Sequence, residues 1–273
     1  MRKRKKPLAL YTYYKPKYWK DIFEDWDIKF TPMSDFNDPF EGRASFKETY
    51  DDKFFLEYPE ARIAGMTTQE INARMTPELR KELVDRILLK NSSRFGIFCL
   101  TTKPDNLLMW SHYAAAHTGF VVKFNLDSDF FTKEYADSSW KPKPIEYVGR
   151  RPLLETLTGG TRENGAGDFF YKKSRRWEYE KEYRMICSFV DKGYKCKTKI
   201  KNNKEIKGFH SIPKDAISEV IFGVKTSESL MSEICEAITS NNECAHIKFK
   251  KMSLHLTSYK LNISEISRKK ILR

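Results

Sequence analysis

The most reactive-looking run in the chain is Trp177-Glu178-Tyr179-Glu180-Lys181-Glu182-Tyr183-Arg184. The apolar residues that follow it predict a buried strand over 182–190, and if that strand extends back through the run, its side chains alternate between two faces. Glu178, Glu180 and Glu182 would then share one face, where carboxylates repel one another unless they are solvated, bind a metal or lie where positive charge develops. The same pattern is also typical of a solvated strand edge.

A second group of reactive side chains lies between two predicted buried strands. Residues 95–100 and 119–125 are apolar and strand-like, and residues 107–117 between them predict a helix. That helix carries serine, histidine and tyrosine at 111–113, and the hydroxyl of Thr101 follows the first strand. A lone histidine on a helix is usually structural or solvated.

No metal site is predicted. His112 and His117 are five residues apart, so they do not share a helical face as a metal-binding pair four residues apart would. The five cysteines are odd in number and contain no Cys-x-x-Cys, which argues against zinc and favours reduced thiols in an intracellular protein.

Three motifs together resemble a widespread bacterial family of unknown function. They are Asn37-Asp38-Pro39-Phe40-Glu41, Met109-Trp110-Ser111-His112-Tyr113 and Trp177-x-x-Glu180-x-Glu182-x-Arg184. The resemblance extends from about residue 8 to residue 190. That family is thought to be related to the ADP-ribosyltransferases, so the resemblance implies an α+β protein with an ADP-ribosyltransferase-like split antiparallel β-sandwich and inserted helices.

The order of the motifs also resembles the polymerase and nucleic-acid-modifying toxin branches of that superfamily. There, a strand with His or Arg beside Tyr is followed by a Gly-Ile-Tyr-Phe strand, a helix with Ser and Tyr, and a strand that opens with a catalytic Glu. The corresponding segments here are Leu10-Tyr11-Thr12-Tyr13, Gly96-Ile97-Phe98-Cys99, Ser111-x-Tyr113 and Lys181-Glu182-Tyr183-Arg184. The sequence departs from the pattern in having Thr12 or Tyr13 where His or Arg is expected.

The resemblance implies NAD as co-substrate and no metal. Glu182 would hold the ribose 2′-hydroxyl and stabilise the positive charge that develops as the nicotinamide bond breaks, and Glu180 would accept a proton from the incoming group. Tyr113 would stack on nicotinamide, Tyr13 would bind the adjacent ribose or amide, and Asn37-Asp38 would bind adenosine hydroxyls. The full set of predicted NAD contacts is Thr12, Tyr13, Asn37, Asp38, Phe98, Thr101, Ser111 and Tyr113.

The net charge of the chain predicts the kind of molecule that accepts the ADP-ribose. Fifty Lys and Arg residues against 37 Asp and Glu residues give +13, a field that attracts polyanions. Cations with interleaved aromatics suit RNA or single-stranded DNA, and RNA is favoured here. The predicted nucleic-acid contacts are Lys172, Lys173, Arg175, Arg176 and Trp177. Lysine-rich loops are also ordinary solvated surface.

The chain has 273 residues, and 40% of them are hydrophobic. Many short strands with few helices are typical of a mostly antiparallel α+β domain. We therefore predict one domain over 1–273. Residues 60–90 predict a helical insertion, since Thr76-Pro77-Glu78 is a helix start. Residues 1–7 form a basic tail without a signal-peptide core. No apolar run approaches the ~20 residues that cross a bilayer, so we expect a cytoplasmic protein without membrane contact.

Several functions fit the sequence. The favoured one is an NAD-dependent mono-ADP-ribosyltransferase acting as a bacterial toxin or anti-phage effector, for which an antitoxin protein is a reasonable partner. A non-catalytic nucleic-acid- or partner-binding module on the same fold is kept open by the missing His or Arg, and a transferase that modifies arginine in proteins is a further possibility. A magnesium-dependent nuclease would use Asp27-x-Lys29 with Asp21, Glu24 and Asp25.

Overall fold

The computed structural model describes residues 7–43, 45, 47–92, 94–132, 139–153, 168–189 and 196–272. Residues 1–6 of the basic tail predicted over 1–7 lie outside these ranges. The strands are β1 (Leu10–Tyr14), β2 (Asp27–Lys29), β3 (Thr31–Pro32), β4 (Phe95–Thr101), β5 (Phe120–Phe124), β6 (Ser139–Pro144), β7 (Glu146–Val148), β8 (Lys172–Ser174), β9 (Glu182–Ser188), β10 (Lys197–Lys201), β11 (Lys204–Ser211), β12 (Ile217–Phe222), β13 (Lys248–Leu254) and β14 (Leu261–Glu265). The helices are α1 (Trp19–Phe23), α2 (Asp52–Glu57), α3 (Thr68–Ala73), α4 (Pro77–Ser92), α5 (Leu107–Tyr113), α6 (Asp129–Thr132), α7 (Glu228–Thr239) and α8 (Arg268–Ile271).

The fold is α+β and its sheets are mainly antiparallel, as predicted. A nine-stranded sheet has the order β14-β13-β12-β5-β1-β4-β9-β6, with β3 paired to β4 beside this path. Within it β12 and β13 are parallel and the other pairs are antiparallel. A three-stranded sheet, β10-β11-β2, and a parallel pair, β7-β8, complete the described strands.

The large sheet forks between β1 and β4. All five residues of β1 pair with β5, but in the described chain β1 meets β4 at one register position, Tyr11 opposite Thr101. The other end of the same β4 edge pairs with β3, where Thr31 lies opposite Ile97. Because β1 diverges from β4 between these two points, a cleft opens along that edge.

Three apolar clusters support the fork. One face of the large sheet packs under α1 and α7 around Leu10, Phe120 and Phe222. The helical insertion, predicted over 60–90 and formed by α3 and α4, joins α2 in a second cluster against Ile97 and Ile186. The third cluster places α5 on the opposite face of β1, β5 and β12. The helices therefore hold both strands of the fork by burying apolar surface.

The structure corrects the prediction that β9 extends back through residue 178. Residues 175–180 form a 3₁₀ helix, and Lys181 has a left-handed φ of 45°, so the strand begins at Glu182. Glu178 is exposed and pairs with Lys181 at 3.1 Å, whereas Glu180 and Glu182 are buried. The three glutamates do not share a strand face.

Two further boundaries differ from the predictions. The helix predicted over 107–117 ends at Tyr113, because residues 115–117 all have left-handed φ values. The strand predicted over 182–190 ends at Ser188. No helix in the described part of the chain has the length and apolar character that crossing a membrane requires.

Candidate functional site

The fork opens into a cleft of about 530 Å³. Its walls come from β1, β4, α5 and the loop at 35–37, and its floor includes the start of β9. Eight of the residues predicted from the sequence line it together: Thr12, Tyr13, Asn37, Phe98, Thr101, Tyr113, Glu180 and Glu182. The structure therefore brings into one cavity residues that are up to 170 positions apart in the chain.

Two of the predicted NAD contacts lie elsewhere. The carboxylate of Asp38 is buried and accepts a hydrogen bond from the backbone N–H of Phe40 at 2.9 Å, so it closes its own turn. Ser111 is exposed, and its hydroxyl lies 3.5 Å from Nε2 of His117. Neither residue lines the cleft, because each points away from the face that its motif neighbours present.

The first-strand motif is held by backbone carbonyls. Thr12 Oγ1 donates to the carbonyl of Cys99 at 2.9 Å, which spans the gap of the fork. The Tyr13 hydroxyl donates to the carbonyl of Lys103 at 2.6 Å, and its ring packs edge-on against Trp110. The Tyr13 hydroxyl is therefore engaged in the fold, and its hydrogen is not free for the predicted contact with a ribose or amide.

A buried group of charges, here called the carboxylate cluster, closes one end of the cleft. It comprises Glu41, Lys173, Glu180, Glu182 and Arg184, whose side chains are all at most 7% exposed. Arg184 Nε lies 2.6 Å from Oε1 of Glu182, and Arg184 Nη2 lies 2.7 Å from Oε1 of Glu41. Arg184 also donates to the carbonyl of Phe170 at 2.7 Å. Such charge-assisted contacts fix the orientation of each carboxylate.

Lys173 belongs to this cluster rather than to a nucleic-acid surface. Its Nζ lies 2.6 Å from Glu180 and 2.7 Å from Glu182, and the side chain is 7% exposed. The charge of Lys173 is therefore neutralised inside the protein, which does not favour the predicted contact with nucleic acid. The other predicted contacts differ in exposure: Lys172 and Trp177 are half-buried, and Arg175 and Arg176 are exposed.

The two cleft glutamates have opposite protonation tendencies. Burial alone would raise the pKa of Glu182, but the charges of Arg184 and Lys173 outweigh it and lower that pKa to about 2. For Glu180, burial outweighs the attraction of Lys173 and raises the pKa above its usual value. Burial likewise raises the pKa of Glu41 against the charge of Arg184. Glu182 is therefore a permanent anion, while Glu180 is closer to exchanging a proton.

Neutral hydroxyls position both glutamates. The Tyr113 hydroxyl, on α5, donates to Oε1 of Glu180 at 2.6 Å. Thr101 Oγ1 donates to the backbone carbonyl of Glu180, and the Tyr147 hydroxyl accepts from the backbone N–H of Glu182 at 2.7 Å. These contacts connect β4, α5 and β7 to the segment where the 3₁₀ helix turns into β9, so the carboxylates are preorganised.

Two aspartates, Asp21 and Asp27, also line the cleft, and Asp25 lies close to them. Lys199 lies within 3.1 Å of all three, Lys197 pairs with Asp27 at 2.8 Å, and Lys201 pairs with Asp21. Lys197, Lys199 and Lys201 occupy every second position of β10. Their ion pairs therefore hold the hairpin formed by β10 and β11 against α1 and β2. Glu24, also named for the nuclease hypothesis, pairs with Lys20 at 3.8 Å. Among the described residues, no group of three or more His, Cys, Asp or Glu side chains is arranged to hold a metal ion.

Three site residues were not assigned from the sequence. Glu41 stood in the first motif and Arg184 in the last without a role, and Tyr147 was not considered. The Glu-x-Glu-x-Arg spacing is the signal that could have found Arg184, because residues 182 and 184 lie on one face of a strand. The partnership of Glu41 with Arg184 joins segments about 140 residues apart and has no local signal.

Comparison with known proteins finds one family model that matches part of the chain. Residues 109–185 match the model of a family described as "Protein of unknown function (DUF2971)". The matched segment contains α5 from Met109 onward and the 3₁₀ helix with the start of β9, and so includes Tyr113, Glu180 and Glu182. No curated protein and no solved structure matches the chain.

Proposed function

We propose that the cleft binds NAD and that the protein is an NAD-dependent mono-ADP-ribosyltransferase with an ADP-ribosyltransferase-like fold. The observation that supports this most is the carboxylate pair at the closed end of the fork, where Glu180 and Glu182 line the cleft beside Tyr113. The divergence of β1 from β4 supports the split-sheet part of the proposal.

The residues of the cleft fit a dinucleotide. About 530 Å³ is within the range of small-molecule sites, which are mostly apolar with a few placed polar groups. Tyr11 and Tyr113 offer rings to aromatic bases, and Asn37 offers an amide. Lys15, exposed in the wall, supplies positive charge for a pyrophosphate.

The carboxylate cluster suits a reaction in which the substrate becomes positively charged. Its three carboxylates and two cations leave one negative charge when all are ionised. In a buried site such a fixed charge stabilises the cation that develops on the ribose as nicotinamide leaves. Because the pKa of Glu182 is about 2, its share of that charge persists at any physiological pH. Glu180, with its raised pKa, is suited to accept a proton from the attacking group.

The assignment is tested by nicotinamide release from labelled NAD. We expect Glu182→Gln and Glu180→Gln to lower the rate at least 100-fold, a loss typical of removing one preorganised electrostatic group. Glu178→Gln is the matched control, because Glu178 lies in the same segment but is exposed, and it should retain the parental rate. Circular dichroism of each variant separates a chemical loss from unfolding. Full activity of folded Glu182→Gln would contradict the assignment.

The proposed acceptor is nucleic acid, with RNA favoured over single-stranded DNA. The support is the net charge of +13, since a positive field concentrates polyanions. The proposed biological role is a cytoplasmic bacterial toxin or anti-phage effector, restrained by an antitoxin protein. That role comes from the resemblance of the three motifs.

A second candidate is a binding module without turnover. It is favoured by the first-strand motif, since Thr12 and Tyr13 both donate to backbone carbonyls and neither hydroxyl hydrogen is available to a ligand. Nucleic-acid binding without any NAD binding or consumption would support this candidate over the enzyme. Magnesium-dependent cleavage of nucleic acid without NAD would instead support the nuclease hypothesis.

A further inference from the structure

Some lysines of the protein form ion pairs with carboxylates, and others do not. Many of the described lysines face carboxylates within 4 Å: Lys123, Lys173, Lys197, Lys199, Lys201, Lys214 and Lys250. Lys15, Lys17 and Lys225 are among the described lysines that have no such partner, and they are the ones that lie at the cleft or at a neighbouring cavity. Phosphate affinity therefore does not follow the density of lysines in the sequence, and these three are candidates to supply it.

Two of the unpaired lysines belong to one short segment. Residues 15–20, Lys-Pro-Lys-Tyr-Trp-Lys, form a 3₁₀ turn that leads into α1, and we call this segment the lysine–aromatic wall. Lys17 Nζ lies 5.0 Å from the centre of the Tyr18 ring, and Lys20 Nζ lies 5.3 Å from that of Trp19. Tyr18 is 37% exposed. Each of the two rings thus has a lysine ammonium beside it, and Tyr18 is accessible.

The wall separates the cleft from another cavity. Lys15 and Tyr18 line the cleft, whereas Lys17 and Trp19 line a cavity of about 380 Å³, here called the side cavity. The polar side chains that share the side cavity with them are Thr118, Lys225, Ser227, Ser229 and Glu233. Two unpaired cations and three hydroxyls face one carboxylate there, so the side cavity favours an anion.

We propose that the lysine–aromatic wall and the side cavity bind the acceptor as single-stranded nucleic acid. Lys17 and Lys225 contact phosphates, and exposed bases stack on Tyr18 and Trp19. Stacking on aromatic side chains combined with a cationic track is how proteins bind single strands without sequence preference. A strand that crosses the wall from the side cavity reaches the mouth of the cleft. As an acceptor site, this assignment rests on the proposed transferase function.

The test is equilibrium binding, measured by fluorescence anisotropy with labelled 12-nucleotide RNA and DNA single strands in the absence of NAD. For single strands the salt slope is about −0.7 per phosphate contact. The double variant Lys17→Ala/Lys225→Ala should therefore reduce the magnitude of the slope by about 1.4. Tyr18→Ala should weaken binding about tenfold.

The matched control removes the same charge elsewhere. Lys204→Ala/Lys269→Ala changes two exposed lysines on β11 and α8 and should leave the slope unchanged. Equal slopes for the two double variants, or no binding of either strand by the parent, would overturn the proposal. Tighter binding of RNA or of DNA identifies the strand. Because NAD is omitted, wall-dependent binding without any ADP-ribose transfer would support the site while contradicting the proposed enzyme function.

Discussion

Replacing Arg184 with methionine is expected to destabilise the protein severely. Arg184 is fully buried, and it pairs with Glu182 at 2.6 Å and with Glu41 at 2.7 Å. Methionine fills much of the space but leaves two buried carboxylates without their guanidinium. Removing one partner of a buried ion pair costs about 3–5 kcal/mol, a large part of a typical total stability of about 5–15 kcal/mol.

The loss of stability caused by Arg184→Met should depend on pH. In the parent, the lowered pKa of Glu182 adds stability that is present above the unfolded-state pKa and is lost as the pH falls toward 2. In Arg184→Met the carboxylates lose their cation, so burial raises the pKa of each and the native state takes up protons more readily than the unfolded state. The difference in stability between variant and parent should therefore shrink as the pH falls from 7 to 5.

Urea unfolding followed by circular dichroism at both pH values measures these differences. Combining Arg184→Met with Glu182→Gln should recover part of the loss at pH 7, because one of the stranded charges is then absent. Arg184→Lys should be intermediate, since it retains a charge without the planar fork. A loss below about 1 kcal/mol for Arg184→Met at pH 7 would refute the view that this cluster is a tightly coupled buried network.

Two other predictions concern neighbouring positions. Tyr113→Phe removes the hydrogen bond that lowers the pKa of Glu180, so the acidic limb of the pH profile of nicotinamide release should move to higher pH; an unmoved limb would count against Glu180 as the proton acceptor. Gly119→Ala places a Cβ 2.0 Å from the Tyr14 carbonyl oxygen, and strain of this kind should lower the Tm by roughly 5 °C. Gly149→Ala, with no atom within 4 Å of the added carbon, is its control and should melt like the parent.

Local sequence signals predicted most of the secondary structure. The helical insertion, α5 and the apolar strands β4, β5 and β9 were expected because hydrophobic periodicity is a local property. The hairpin β10–β11 was missed although its signal was present: Asn202 and Asn203 both adopt positive φ, as a two-residue hairpin turn requires. The lysines of β10 counted toward the net charge, whereas in the structure they pair with Asp21, Asp25 and Asp27.

The candidate site was predictable in its composition but not in its electrostatics. The motifs identified Glu180, Glu182 and Tyr113, which do meet in the cleft. The left-handed φ of Lys181 could not be foreseen, because a lysine rarely adopts it without tertiary contacts. The burial of Lys173 among carboxylates depends on residues as distant as Glu41, and net charge alone cannot distinguish such a lysine from a free one.

The central claim is that the cleft consumes NAD to modify a macromolecule. The most direct test incubates the purified protein with NAD labelled in its adenosine portion together with cellular RNA, single-stranded DNA or cell lysate, followed by a denaturing gel. The account predicts covalent label on nucleic acid with the parent and with Glu178→Gln, and no label with Glu182→Gln. Absence of label on any macromolecule, with no nicotinamide released and no NAD bound, would contradict it.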